Sequence, residues 1–188
     1  PKGMRYLLRH MEAAEATGMT IVAMDHFGNT KSSQASSSKT ERFLELLPQI
    51  ELTVPHDPKQ LYIGGISGGA LRAVIWANTI DRPWKGIFWN GGWLGYESHL
   101  LESYRKMKVI VVNGNNDRAA NHYLRKRDLD ILLENDLEVG IIAFEGGHQV
   151  PPIEHQIMAF QWLLDSQAVE ELSTLGDLQP PPAPQIPE

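Results

Sequence analysis

The stretch Leu61-Tyr62-Ile63-Gly64-Gly65-Ile66-Ser67-Gly68-Gly69-Ala70-Leu71-Arg72-Ala73-Val74 decides how this sequence is read. It opens on successive apolar residues, as in a strand covered on both faces of a parallel sheet. Glycines then crowd around one serine, and a helical stretch begins at Ala70. The whole reads as strand, tight turn, helix, with Gly65-Ile66-Ser67-Gly68-Gly69 matching G-x-S-x-G at the turn, the setting of a nucleophile elbow. A serine in so tight a turn needs small neighbours; Gly65 and Gly69 are expected to let strand and helix approach. In a chain with 16 glycines, chance alone gives such a match at roughly one in ten or less. The strand before it and the helix after it therefore carry the assignment. Ser67 is the candidate nucleophile and the Gly68 N–H the candidate donor to a developing oxyanion.

Outward from this stretch, short apolar runs alternate with helical ones. Strands are predicted over residues 19–24 (MTIVAM), 61–63, 86–89 (GIFW), 109–112 (VIVV) and 139–144 (VGIIAF). Helices are predicted over 4–17, 40–47, 69–78, 97–106 and 119–135. A last helix follows Pro151-Pro152, with Ile153, Ile157, Phe160 and Leu164 on one face. The alternation predicts an α/β fold: a mostly parallel sheet, helices on both faces, right-handed crossovers, and ligands at the carboxyl ends of the strands. Residues 28–38 (GNTKSSQASSS) read as a polar loop. Apolar periodicity fades from about Ser166, and residues 179–188 are dense in proline. The expected organisation is a catalytic domain over residues 1–167 and a Pro-rich tail or linker over 168–188.

Composition narrows the function classes. A hydrophobic share of 42% with 21% charged residues is that of a globular chain. The formal charge of -6 argues against nucleic acid as the main partner, and Lys31, Lys39 and Arg125 to Arg127 read as solvated-face residues. No apolar run is long enough to span a bilayer. The absence of cysteine excludes disulfides, thiolate metal sites and cysteine nucleophiles. Residues 1–9 (PKGMRYLLR) lack the apolar core of a signal peptide. Compartment and oligomeric state are left open.

A nucleophilic serine needs a base, and the base needs an acid to orient it. His148 follows the last predicted strand in Glu145-Gly146-Gly147-His148, where a loop can lean over the same cleft as Ser67. Among the other histidines, His26 follows the first predicted strand and is the weaker base; His155 reads as a helix-surface residue. His10, His56, His99 and His122 read as structural or exposed. No H-E-x-x-H spacing occurs, and neither metal nor cofactor is expected. Asp117 ends Asn113-Gly114-Asn115-Asn116-Asp117, directly after the strand over 109–112. An ordinary Asx turn is the competing reading there; Asp128 and Asp130 fall in the next helix and point elsewhere. Serine, acid and histidine thus follow three different strands in the order Ser, Asp, His. Trp93, in Gly91-Gly92-Trp93, is a weaker candidate for an aromatic wall against substrate; core packing is the stronger reading for both Trp89 and Trp93.

These residues carry a resemblance. Residues 57–69 (DPKQLYIGGISGG) resemble the approach to the nucleophile in esterases of the α/β-hydrolase superfamily. Asn113 to Asp117 resembles that family's acid turn, G-x-x-D, and Gly146-Gly147-His148 its histidine loop. The resemblance runs over about residues 4–167 and is similar in style to polyester depolymerases, feruloyl esterases and dienelactone-hydrolase relatives. It implies the α/β-hydrolase fold without an obvious cap domain. It also implies cofactor-free hydrolysis of a small-molecule or polymer carboxylic ester by Ser67, Asp117 and His148. A peptidase or thioesterase with the same triad, or a non-catalytic binding domain of the same fold, are the alternatives. One departure stands out: in the family a strand with a Gly-rich loop precedes the first helix and supplies a second oxyanion donor. Here the chain opens in what reads as that helix, so the expectation is that it is N-terminally incomplete or that another segment provides the strand.

Overall fold

A computed structural model of the chain describes residues 2–25, 27, 33–94 and 107–179. Among these, four strands form one parallel sheet: β1 Leu61–Ile66, β2 Trp84–Asn90, β3 Lys108–Gly114 and β4 Glu138–Phe144. Their order across the sheet is their order in the chain. Crossovers of one hand that step in one direction place their helices on one face. Helix α4 (Gly68–Thr79) links β1 to β2 on that face. Helix α5 (Arg118–Tyr123), a π-helical turn (Leu124–Asp128) and α6 (Leu129–Glu134) link β3 to β4 on it as well. The opposite face is covered from outside the run of strands, by α2 (Met11–Thr17) and α7 (Ile153–Leu164).

Side chains of the inner strands alternate between the two cores. Ile87, Trp89, Val109 and Val111 pack in the core on the face that carries α4 to α6, while Phe88, Ile110 and Val112 join Ile142 of β4 in the core under α7. Each such side chain contributes roughly 1.5–3 kcal/mol by leaving water. This two-sided burial is why the 109–112 run is continuously apolar rather than alternating.

Several elements differ from expectation. Residues 19–24 are not a strand. They pair with no described strand, because a groove lies between them and β1; the Met19 N–H bonds the Ala14 carbonyl at 3.0 Å instead. Their side chains still pack, Met19 and Ile21 toward α7 and Met24 toward α4. The helix predicted over 4–17 is two, α1 (Lys2–Leu8) and α2, separated by a tight turn in which the His10 N–H reaches the Leu7 carbonyl at 2.9 Å. Helix α3 (Ser33–Thr53) is far longer than the predicted 40–47 and takes in residues 33–38 of the expected polar loop. It is anchored by buried Phe43, stacked on Trp76 at 4.2 Å, and by buried Leu47. The helix predicted over 97–106 lies outside the described residues. In α7 the buried face holds Phe160, Trp162 and Leu163, while Leu164 is 42% exposed.

The segment after α7 returns to the sheet. Ser173 Oγ accepts the Ala143 N–H at 2.8 Å, the Gln179 N–H reaches the Asn115 carbonyl at 2.9 Å, and Leu178 is fully buried. The Arg125 guanidinium donates to the carbonyls of Leu175 and Leu178. No described helix is long and apolar enough to cross a membrane.

Candidate active site

Ser67 stands between β1 and α4 with φ +56° and ψ -124°. A non-glycine residue there is strained by about 1–3 kcal/mol and persists only where its surroundings over-determine it. Among the described residues the other non-glycine residue at positive φ, Asp136, follows α6, where Asp is tolerated. At Ser67 the constraint is visible. Its N–H bonds the Asn90 carbonyl at the end of β2 at 2.9 Å, and its carbonyl accepts the Leu71 N–H at 3.2 Å as α4 begins. A Cβ on Gly65 would stand 2.5 Å from the Gly69 carbonyl carbon, so the strand and helix approach at Gly65 as expected. A Cβ on Gly69 would meet nothing within 4 Å; only the glycine on the strand side is sterically required. Gly68 is the first residue of α4, whose opening N–H groups carry the positive end of the helix dipole.

Asp117 is 2% exposed and caps α5, its Oδ1 accepting the Ala120 N–H at 3.2 Å. In place of an Asx turn, which would take the N–H two residues on, Asp117 makes a helix N-cap, and this occupies one oxygen only. The other, Oδ2, lies 2.7 Å from Nδ1 of His148. A carboxylate only accepts, so Nδ1 donates to it, and in the neutral ring Nε2 then presents a lone pair. The His148 side chain is 41% exposed, as befits a base that must meet substrate.

The loops that bring this pair together are joined by hydrogen bonds. The Asn115 N–H reaches the Phe144 carbonyl and the Asn116 N–H the Gly146 carbonyl, both at 2.8 Å, and Asn115 Oδ1 accepts the Gly146 N–H at 3.2 Å. Beneath them lie three buried asparagines that residue patterns had not singled out as functional. Asn113 Oδ1 accepts the Gly91 N–H at 2.9 Å, and its amide donates to Asn121 Oδ1 at 3.0 Å. Asn121 donates to the carbonyls of Gly114 and Asn115, while Asn90 donates to the Val112 carbonyl at 2.7 Å. Asn90 and Asn113 share a signal: each is a polar residue at the carboxyl end of an apolar strand. Asp128, expected to point elsewhere, is fully buried; its Oδ2 holds the Leu94 N–H at 2.9 Å and so pins the loop after β2.

Gly91 ties the serine to the pair. It follows Asn90, whose carbonyl holds Ser67, and adopts φ +54°. A Cβ there would stand 3.0 Å from Asp117 Oδ2 and 3.1 Å from the His148 ring. The three sequence-predicted residues thus gather at the carboxyl ends of β1, β3 and β4, around the end of β2. Ser67 Oγ makes no hydrogen bond among the described residues. Trp93 is half-buried and tilted against Tyr123, ring centroids 5.8 Å apart, whereas Trp89 is core, 1% exposed. His155 is not a free surface residue but lies half-buried beside Phe144. Among the described residues no cluster of three or more His, Asp or Glu is arranged to hold a metal.

No family model matches the chain, and no curated protein matches it in sequence. Solved structures do match. An uncharacterised protein from Bacillus cereus superposes with a TM-score of 0.63 at 18% identity, over 89% of this chain and 56% of that one. S-formylglutathione hydrolase from Staphylococcus aureus superposes with a TM-score of 0.59 at 14% identity, over 85% of this chain and 75% of that one. Esterase PE8 follows with 0.54 at 19% identity, over 70% and 60%. The chain therefore spans between about half and three quarters of the length of these structures. The sheet order, the helices on both faces and these superpositions agree: the chain has the fold of the α/β-hydrolase superfamily.

Proposed function

We propose that the chain is a serine hydrolase that cleaves carboxylic esters through an acyl-enzyme on Ser67. The observation that carries this reading is the 2.7 Å Asp117–His148 contact, set against Gly91, one residue beyond the carbonyl that holds Ser67. In the proposed cycle, His148 Nε2 takes the Ser67 proton as Oγ bonds the ester carbonyl carbon. The oxyanion is met by the Gly68 N–H at the start of α4. His148 then returns the proton to the leaving alcohol, and the acyl-enzyme is hydrolysed by water that His148 deprotonates. Asp117 holds the tautomer and stabilises the imidazolium. Trp93, with Tyr123, is assigned to the rim that contacts the acyl or alcohol group. The names of two neighbours, an esterase and an S-formylglutathione hydrolase, favour ester or thioester substrates over amides.

A fluorophosphonate probe tests the reading, because it labels a serine only where a base activates it. Labelling of the folded chain is expected, absent in Ser67→Ala and reduced in His148→Ala. No labelling of the folded chain would leave the binding-domain alternative standing.

A further inference from the structure

The segment after α7 crosses from one core of the sheet to the other. Val169 and Leu172 pack with the residues under α7, whereas Leu175 and Leu178 pack on the face that carries α4 to α6. Between them the segment rounds β4, the last described strand on this side of the sheet, where Ser173 Oγ accepts the Ala143 N–H at 2.8 Å. The residues that follow dictate a turn. Thr174 and Asp177 form a capping box, in which Thr174 Oγ1 accepts the Gly176 N–H at 3.2 Å and Asp177 Oδ2 accepts the Thr174 N–H at 2.5 Å. They enclose one 3-10 turn, Leu175–Asp177. Residues three apart eclipse in that geometry, so Leu175 and Leu178 enter the same core.

The far end of this segment reaches the candidate site. Leu178 is fully buried, and the Arg125 guanidinium donates to the carbonyls of Leu175 and Leu178, acceptors of the kind a helical turn leaves unmet at its end. The next residue, Gln179, gives its N–H to the Asn115 carbonyl at 2.9 Å, an oxygen that the Asn121 amide also reaches at 3.2 Å. Asn115 is where the acid turn meets the histidine loop: its N–H bonds the Phe144 carbonyl, and its Oδ1 accepts the Gly146 N–H. It stands two residues before Asp117, as Gly146 stands two before His148. Cover for an edge strand calls for contacts along β4. It does not call for a cation on the last turn of the cover, or for a bond from its end to the acid turn.

We propose that residues 173–179 are a strap that positions the Asp117–His148 pair, with Arg125 and Leu178 as positioning residues. The Ser173–Ala143 bond fixes one end on β4, and the Gln179–Asn115 bond fixes the other on the turn after β3. Arg125 and the burial of Leu178 take up the slack between them. A slack strap releases the Asn115 carbonyl, and with it the fit of the two loops across which His148 Nδ1 meets Asp117 Oδ2 at 2.7 Å. Misplacing catalytic groups by about 1 Å costs roughly 10²-fold in rate. Only the effect on turnover rests on the proposed serine chemistry; the hold on the loops is read without it.

The test places Arg125→Met, Arg125→Lys and Leu178→Ala in the full chain, with Lys126→Met, an exposed neighbour outside the strap, as control. With a short-chain 4-nitrophenyl ester, Arg125→Met and Leu178→Ala should lower kcat about 10- to 100-fold at little-changed KM. Arg125→Lys should recover part of the loss, since an ammonium can still donate to the carbonyls. The acid limb of kcat/KM should move to lower pH, because a loosened carboxylate stabilises the His148 imidazolium less. Amide exchange at Asn115, Asn116 and Gly146, whose N–H groups join the two loops, should quicken about tenfold or more. Lys126→Met should match the parent throughout. Lower urea midpoints with kcat, the acid limb and these three amides unchanged would overturn the proposal, because the strap would then be edge cover only. A parent chain that neither cleaves the ester nor takes a fluorophosphonate probe sinks the serine reading instead. The three amides then decide the strap, and unchanged exchange in Arg125→Met overturns it.

Discussion

On the β3–β4 side of the site, Asp117 and His148 sit in loops hydrogen-bonded to each other and to buried asparagines. On the β1 side, Ser67 is held by two backbone bonds and a close approach of strand and helix, beside an open strand edge. The first side is positioned by directional polar contacts in a dry interior, where each lost partner leaves another group orphaned. The second is positioned by sterics. The acid and base should therefore answer sharply to small polar changes, and the groove side far less.

The largest break on the acid side is Asp117→Asn. Asparagine still caps α5, so stability should change little. Its amide cannot hold the Nδ1–H tautomer of His148 as a carboxylate does. With a short-chain ester as substrate, kcat should fall about 10³–10⁴-fold. A fall of less than about tenfold would show that the 2.7 Å contact is structural only.

Next comes Gly91→Ala, which inserts a methyl group 3.0 Å from Asp117 Oδ2 on a backbone at φ +54°. The strained backbone should cost about 1–2 kcal/mol in urea denaturation, and the displaced pair about 10²-fold in kcat. Gly69→Ala, with nothing within 4 Å of the new Cβ, is the control from the other side. Its loss of stability should stay within about 0.5 kcal/mol. Equal effects of the two would erase the contrast.

The sequence was most legible where one residue type could satisfy a local rule. Apolar runs marked β1 to β4, most plainly β2 and β3, which are buried on both faces and leave no polar alternation. The placement of Ser67, Asp117 and His148 at strand ends was readable because each follows such a run. The Asn90–Asn113–Asn121 scaffold was hidden, since asparagine in a turn is already explained by turn chemistry and its burial depends on neighbours distant in the chain. Residues 19–24 misled for a related reason: their pattern is that of a strand, yet a strand also needs a partner for its backbone, and composition cannot show whether one is adjacent. The break at His10 had no visible cause in a run of good helix formers; it places a buried imidazole on the groove.

Asn121→Ala reaches the scaffold without touching the pair. It strips donors from the Gly114 and Asn115 carbonyls and leaves Asn113 without its acceptor. Stability should drop by about 1–3 kcal/mol, with the loss concentrated where the acid turn meets the histidine loop. Slower kcat at unchanged KM, with faster exchange at Asn115 and Asn116, would mark it as a positioning residue. Loss of stability alone would mark it as core.

On the groove side the smallest effect is one of pH. Burial among Phe88 and Phe160 holds His10 below the usual imidazole value, the carbonyl of Tyr6 opposes that shift, and the charge of Arg9 reinforces it. In the unfolded chain His10 takes up a proton as pH falls through about 6.5, while in the folded chain it stays neutral to lower pH. The unfolded state thus binds more protons in that window, so this contribution is full above about pH 6.5 and declines as pH falls toward the folded value. His10→Phe removes the titrating group while keeping an aromatic ring against Phe88 and Phe160. Urea midpoints measured from pH 8 to pH 5 should fall more steeply for the parent chain than for His10→Phe. Parallel slopes would mean that His10 takes up its proton in the fold over the same range as in the unfolded chain, so that burial does not hold it neutral.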